Sequence, residues 1–225
     1  MTVGPDGDDL RLVKRTPTLL GQSLVVSGIA DATVALPLIG AYQAANALVA
    51  AGLVIACGGS PTATLAGLSR VTGVRGRLER AVITPAGAPV YVDYAHTPDA
   101  LTAAIAALRP HTANRLIIVF GCGGDRDPGK RAPMGAIAAE GCDVAIVTDD
   151  NPRTEDPAAI RAATMAGDPR LVEVPGRREA IMRAVGMARS GDVVLIAGKG
   201  HEQGQIVGAR VLPFDDVEVS REAAR

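Results

Sequence analysis

The 225-residue chain has no Trp, and only two Phe and three Tyr. A stacking platform for single-stranded nucleic acid needs more aromatic faces than this. With hydrophobic residues at 48%, the core has to be filled by Ala, Val, Leu and Ile. An excess of either charge is also lacking. The net charge is −1, which leaves no basic footprint for nucleic acid and no polybasic membrane surface. The three cysteines, Cys57, Cys122 and Cys142, are odd in number and show no CxxC spacing, so neither a disulfide framework nor a zinc site is expected. A reducing, cytoplasmic setting follows as the expectation, since the acidic N-terminus carries no signal-peptide pattern. No GxxxxGK[ST] loop occurs, and Gly121-Cys-Gly-Gly124 lacks the GxGxxG spacing of a dinucleotide site. Ala32 to Ser69 has no charged residue, which raises a membrane question. Pro37, Gly40, Gln43, Asn46, Gly52 and Gly58-Gly59 interrupt it, and an Ala-rich helix over 41–57 suits burial among other elements better than contact with lipid.

The first part of the chain reads as an irregular stretch over 1–15 with one short strand at Leu10–Val13. A hairpin of Gln22–Ser27 with Ala32–Leu38 follows, then the 41–57 helix, then a shorter helix capped by Ser60 with Pro61 at its first position. It holds no complete α/β unit and reads as the end of a domain. Near residue 75 the pattern changes. Strands at Ala81–Ile83 and Pro89–Tyr94 precede a helix capped by Thr97. Strands at 115–120, 143–148, 171–174 and 192–197 then alternate with helices at 131–140, 157–165 and 177–188. Such alternation predicts βαβ units and an α/β fold with a mostly parallel sheet. A hairpin near 205–212 and a helix from Asp215 close the chain.

Four polar clusters follow strands: Asp93-Tyr-Ala-His96, Gly121-Cys-Gly-Gly-Asp-Arg-Asp-Pro-Gly-Lys-Arg131, Thr148-Asp-Asp-Asn-Pro-Arg-Thr-Glu-Asp-Pro157 and Gly198-Lys-Gly-His-Glu202. Taken singly, each reads equally well as turn chemistry with solvated charges and an exposed Lys199. Taken together they converge, because a parallel sheet gathers the C-terminal ends of its strands on one edge. The cations Arg126, Lys130, Arg131, Arg153 and Lys199 mix there with Asp125, Asp127, Asp149, Asp150, Glu155 and Glu202. That mixture points to a zwitterion such as an amino acid rather than to a polyphosphate alone.

These four clusters, in this order, together with Pro213-Phe-Asp-Asp216, resemble the Mur ligase family, and within it the branch that adds the third residue of the peptidoglycan stem peptide in its diaminopimelate form. The resemblance spans the chain from about residue 35. It implies that residues 1–74 are the C-terminal fragment of the central ATPase domain, and that residues 75–225 are the C-terminal, amino-acid-binding domain, Rossmann-like with a mostly parallel sheet. The family's GTNGKT-type loop, its magnesium-binding Glu and His and its carbamylated Lys have no counterpart here and are expected upstream. Tyr42 stands where Phe is usual, and Arg75 where Pro is common.

The resemblance also implies roles. Asn46, Arg77, Asp93 and His96 match positions near ATP. Arg126, Asp150, Asn151, Arg153, Gly198 and Glu202 match the site of meso-diaminopimelate. It implies ATP with Mg²⁺ as cofactors, UDP-N-acetylmuramoyl-L-Ala-D-Glu as the other substrate, and a monomer. The chemistry implied is phosphorylation of the glutamate γ-carboxylate, then attack on the acyl phosphate by the diaminopimelate amine. Diaminopimelate differs from lysine by a distal carboxylate, which a two-pronged Arg153 suits. Left unpaired in a buried site, such a group discriminates by about 10⁴ or more. Without a phosphate loop the isolated chain is expected to be inactive. A non-catalytic amino-acid-binding fragment, a lysine-adding ligase of the same family and a nicotinamide Rossmann domain are the alternatives.

Overall fold

Apolar residues at alternate positions build the first strands, and a helical stripe covers them. In the computed structural model, which describes residues 1–225, the chain divides into two units after Gly73. The first unit is a four-stranded sheet in the order β1 (Val3–Gly4), β2 (Leu10–Thr18), β3 (Gly21–Gly28) and β4 (Ala32–Leu36), antiparallel except for the β1/β2 pair. Residues 1–15 are thus less irregular than their sequence suggests. The β2 register shifts between Leu12 and Lys14. The residue between them, Val13, is 58% exposed. This bulge breaks the alternation that would have marked a nine-residue strand. Pro17 is tolerated because that stretch of β2 pairs with β3 alone.

Helices α1 (Ala41–Ala56) and α2 (Pro61–Gly67) complete this unit. The Ser60 hydroxyl caps α2, accepting from the Ala63 N–H. α1 is buried on one stripe only, through Ala44, Ala47, Leu48, Ala51, Gly52 and Ile55. Val49, Leu53 and Val54 on its other face stay half or more exposed. Burial among other elements therefore holds for one stripe only, because a 3.6-residue period turns half of this Ala/Val/Leu helix away from the sheet. No helix is long and apolar enough to cross a membrane.

The second unit holds a six-stranded sheet. Its strands are β5 (Glu79–Ile83), β6 (Pro89–Asp93), β7 (Leu116–Phe120), β8 (Val144–Val147), β9 (Val172–Glu173) and β10 (Val193–Ala197), in the order β5-β6-β10-β7-β8-β9. All pairs but β5/β6 are parallel. The crossovers are helices α3 (Pro98–Leu108), α4 (Arg131–Gly141), α5 (Pro157–Met165) and α6 (Arg177–Met187). The hairpin β11 (Gly204–Val207)/β12 (Arg210–Pro213) and α7 (Asp216–Ala223) follow. Successive side chains of a strand point to opposite faces. Ile117, Val119, Val194 and Ile196 accordingly join Ala180, Ile181 and Ala184 of α6 and Val217 and Val219 of α7 in one core. Leu116, Ile118 and Phe120, also fully buried, face the other layer, where α3, α4 and α5 pack side by side.

Two features of this topology place the site. β10, last of the parallel strands in sequence, enters between β6 and β7, so the strand order reverses there, and such a switch point opens a crevice at the C-terminal ends. Short caps start the helices directly beyond those ends: Thr97 accepts from the Ala100 N–H, and Asp156 from the Ala158 N–H.

Candidate functional site

The loops after β6, β7, β8 and β10 line one cavity of about 370 Å³. Arg126, Asp150, Asn151, Arg153, Gly198 and Glu202 all reach it, as does His96. Six residues marked in the sequence as an amino-acid site therefore come together, from three separate loops.

Two of those loops are stapled. The Asp125 carboxylate accepts from the Thr154 hydroxyl at 2.7 Å and its N–H at 3.2 Å, while the Asp125 N–H donates to Glu155 at 2.6 Å. Arg131, almost wholly buried, grips both Glu155 oxygens at 2.8–2.9 Å. The Thr154 hydrogen bonds hold the Asp125 carboxyl below its ordinary value. Asp149 is likewise committed, to Arg161 and to the Gly176 N–H. Arg131, Asp125 and Glu155 thus spend their charges between the two loops, and Asp149 spends its own on α5 and the start of α6, rather than on a ligand. This corrects the pooled count of charges read from the sequence, and it leaves Arg126, Lys130, Arg153, Asp127, Asp150 and Glu202 at the cavity.

Arg153 sits at φ 52°. Its backbone is fastened to the hairpin: its N–H donates to the Ile206 carbonyl at 3.0 Å, and its carbonyl accepts from the Gly208 N–H at 2.6 Å. Nη1 donates to the Gly124 carbonyl at 2.7 Å and, weakly, to that of Asn151 at 3.4 Å. The Nε–Nη2 edge of the fork keeps its hydrogens for a ligand. The guanidinium is half-buried rather than buried. Gly123 is what admits it, since a Cβ there would lie 2.8 Å from Nη1.

The opposite wall is built around Lys199, which the sequence reads singly as an exposed lysine in a tight turn and jointly as one of the cations of the site. Its side chain is fully buried. The ammonium donates to the Asn151 Oδ1 at 2.8 Å and to a Glu202 oxygen at 3.1 Å. Asn151 Oδ1 also accepts the Ile206 N–H at 2.9 Å, and Nδ2 donates to the same Glu202 oxygen at 3.0 Å. The amide orientation is therefore fixed from both ends, and one Glu202 oxygen remains for the cavity. Burial pushes the Glu202 carboxyl up, but Asn151 and Lys199 outweigh it and hold the group below its ordinary value. Gly198, at φ 117°, runs so close to Asp150 that a side chain would strike its carboxylate. Gln205 supports the same floor through its amide, which donates to the Asp150 carbonyl at 2.6 Å. The glycines flanking Lys199 answer to other neighbours: a Cβ on Gly198 would meet the Asp150 carboxylate and one on Gly200 the Tyr94 side chain.

The residues singled out for ATP are arranged differently. Asn46 belongs to the first unit, on the exposed face of α1 beside Gln43. Arg77 lies over the Tyr94 ring at 5.2 Å, and the His96 and His201 rings are 4.5 and 5.2 Å from it. Asp93 is buried, and its two oxygens accept the Leu78 and Ala95 N–H groups, each at 2.8 Å. Burial raises its pKa despite those bonds. Lys130 donates to the His96 carbonyl at 2.8 Å. No three His, Cys, Asp or Glu side chains are grouped to hold a metal ion.

Comparison with known proteins identifies the family. Residues 76–200 match the family pattern described as Mur ligase, glutamate ligase domain. The chain is 57% identical over 226 residues to UDP-N-acetylmuramoyl-L-alanyl-D-glutamate--2,6-diaminopimelate ligase of Zymomonas mobilis, covering 98% of the chain and 46% of that protein. It is 56% identical over 225 residues to the protein of the same name in Caulobacter vibrioides, covering 99% and 46%. A solved structure of a ligase with that name superimposes with a TM-score of 0.77 at 36% identity, over 97% of this chain and 45% of the other. The chain spans about half the length of these relatives. Because the family pattern covers more than half of its residues, and its four strand-end loops form one polar cavity, the chain belongs to the Mur ligase family.

Proposed function

We propose that the second unit is the amino-acid-binding part of a ligase that joins meso-2,6-diaminopimelate to the D-glutamate of UDP-N-acetylmuramoyl-L-Ala-D-Glu at the expense of ATP. The observation that carries the reading is the pairing of a cationic wall, Arg126 and Arg153, with an acceptor wall, Glu202 and Asp150, in one cavity. Arg153 has a free two-pronged edge for the distal carboxylate. Glu202 and the Gly198 carbonyl accept from the distal ammonium. Lysine would satisfy the second wall and leave the first without its partner. The names of the relatives support the same amino acid.

In this proposal the chain's own residues bind and orient. They hold the attacking amine in place, and proximity supplies the larger part of the rate gain. Arg77 and His96 are the contacts offered to ATP. Asp93 acts one step back, fixing the backbone that carries them through Leu78 and Ala95. Asn46, in the first unit, is carried over by family resemblance alone, and we read that unit as the end of the family's central ATPase domain. No three acidic, imidazole or thiol groups cluster here, and we read the magnesium ligands as lying in the part of the relatives that this chain does not cover.

Titration calorimetry of the 225-residue chain tests the site. Binding of meso-diaminopimelate at least about tenfold tighter than L-lysine, lost in Arg153→Ala, is expected from loss of a charge-assisted pair. Equal binding of the two amino acids would overturn the assignment. ATP-dependent ligation by the isolated chain would overturn the division of labour.

A further inference from the structure

The Pro213-Phe-Asp-Asp216 run has no part in the cavity, yet its last residue forms a fully buried ion pair. Arg177, the first residue of α6, and Asp216, the first of α7, both have side-chain exposures of 0%. The guanidinium donates to the two Asp216 oxygens at 2.8 and 2.7 Å. It also donates to the Ala197 carbonyl at 2.9 Å and, more weakly, to the Asp149 carbonyl at 3.4 Å. Ala197 and Asp149 are the residues immediately before Gly198 and Asp150. Nη1 comes close enough to lie 3.9 Å from where a Gly198 Cβ would stand.

β8 and β10 are not neighbours, for β7 runs between them. No ladder hydrogen bond therefore fixes the height of one loop relative to the other. The β10/β7 pairing ends at Ile196 and Val119, and the β7/β8 pairing at Phe120 and Val147. The Asp149 carbonyl lies past those ends, and Ala197, still paired with Asp93 of β6, lies past the end of its pairing with β7, so no ladder ties the two carbonyls held by Arg177 to each other. A buried guanidinium is a rigid planar fork, and Asp216 balances its charge and fixes its plane. A purely stabilising ion pair would have no reason to span the two strand ends that carry the site.

We propose that Arg177, oriented by Asp216, is a positioning residue that sets the spacing between the Asp150-Asn151 loop and the Gly198–Glu202 loop. This rests on the reading of the cavity as the amino-acid site. It makes the depth of the cavity depend on a group that touches no substrate.

Three variants of the whole chain test it. Arg177→Lys keeps the charge and loses the fork. The double variant Arg177→Met/Asp216→Leu removes both charges, so no unpaired charge stays buried. Arg115→Lys alters the comparable pair with Asp192 at the opposite end of the same sheet. Calorimetry with meso-diaminopimelate, and the ligand-free NMR signals of the Gly198 amide and the Asn151 side-chain amide, are the readouts. Arg177→Lys and the folded double variant are expected to weaken binding by about tenfold or more, the usual cost of losing an orienting group, and to shift both signals. Arg115→Lys should do neither. An affinity within about twofold of the parent together with unmoved signals in both Arg177 variants would overturn the proposal, a twofold change being too small to count as loss of positioning. If the parent chain itself fails to bind meso-diaminopimelate, the functional reading falls, and the ligand-free signals alone decide the positioning role.

Discussion

At the scale of single residues, two adjacent glycines do different jobs. A Cβ on Gly123 would come too close only to the tip of the Arg153 side chain, whereas one on Gly124 would lie 2.0 Å from the Pro152 carbonyl oxygen, a backbone atom. Gly123→Ala is therefore expected to melt close to the parent while losing most affinity for meso-diaminopimelate. Gly124→Ala should lose about 1–3 kcal/mol of stability by overpacking. Thermal melts paired with calorimetry separate the two, and equal stability losses would refute the distinction. Lys199 supports a pH prediction. The Glu202 carboxyl is held below its ordinary value, so its contribution to stability is full above the unfolded pKa and is lost as pH falls through the lower folded one. Lys199→Met removes one of the groups opposing burial, so the carboxyl should rise towards its unfolded value, and the acid-dependent loss, which still begins at the unfolded pKa, should become smaller. A carbon-detected titration of Glu202 that stays unchanged in the variant would contradict this.

At the scale of elements, the β11/β12 hairpin is a brace for the Asp150–Arg153 loop rather than an ornament. Its Gln205 amide, its Ile206 N–H and carbonyl, and the following Gly208 N–H all bond to that loop, while β12 is exposed along its length. Gln205→Ala should cost about 1 kcal/mol of stability, the net worth of one hydrogen bond, and also weaken amino-acid binding, although Gln205 does not line the cavity. Binding unaffected by the change would show the brace to be dispensable. Much of this element order was legible in sequence. Thr97-Pro98 and Asp156-Pro157 mark helix starts that hold to the residue, and the all-apolar runs 116–120 and 193–197 are central parallel strands buried on both faces. Of β2 only Leu10–Val13 was legible, because the bulge at Val13 changes its phase and Lys14, Arg15 and Pro17 hide the rest, which pairs with β3 alone. Nor was the partition of charges. Spacing shows that Asp149, Asp150, Glu155 and Arg131 reach one edge of the sheet. Only the fold decides that Asp149 turns to Arg161 and Glu155 to Arg131.

At the scale of the molecule, the core of the second unit and every residue of the proposed amino-acid site lie within Val74–Arg225. A chain of residues 74–225 is expected to fold cooperatively and keep its affinity for meso-diaminopimelate, which circular dichroism and calorimetry would check. Failure to fold alone would mean that the first unit is needed for more than the contact proposed for Asn46. The cores of the two units are separate clusters, one led by Leu10, Leu24, Leu36 and Leu48 and the other by Val90, Val119, Ile146 and Ile196. Aromatic residues are nearly absent from both, as the composition required.

Arg153 occupies a left-handed backbone conformation that costs an ordinary residue about 1–2 kcal/mol, and Gly or Asn would adopt it with less strain. Its main-chain bonds to Ile206 and Gly208 would survive either replacement. A library of this chain selected only for heat resistance is therefore expected to enrich Gly or Asn at position 153, and the hardened clones should no longer tell diaminopimelate from lysine. Robustness and discrimination compete for one codon.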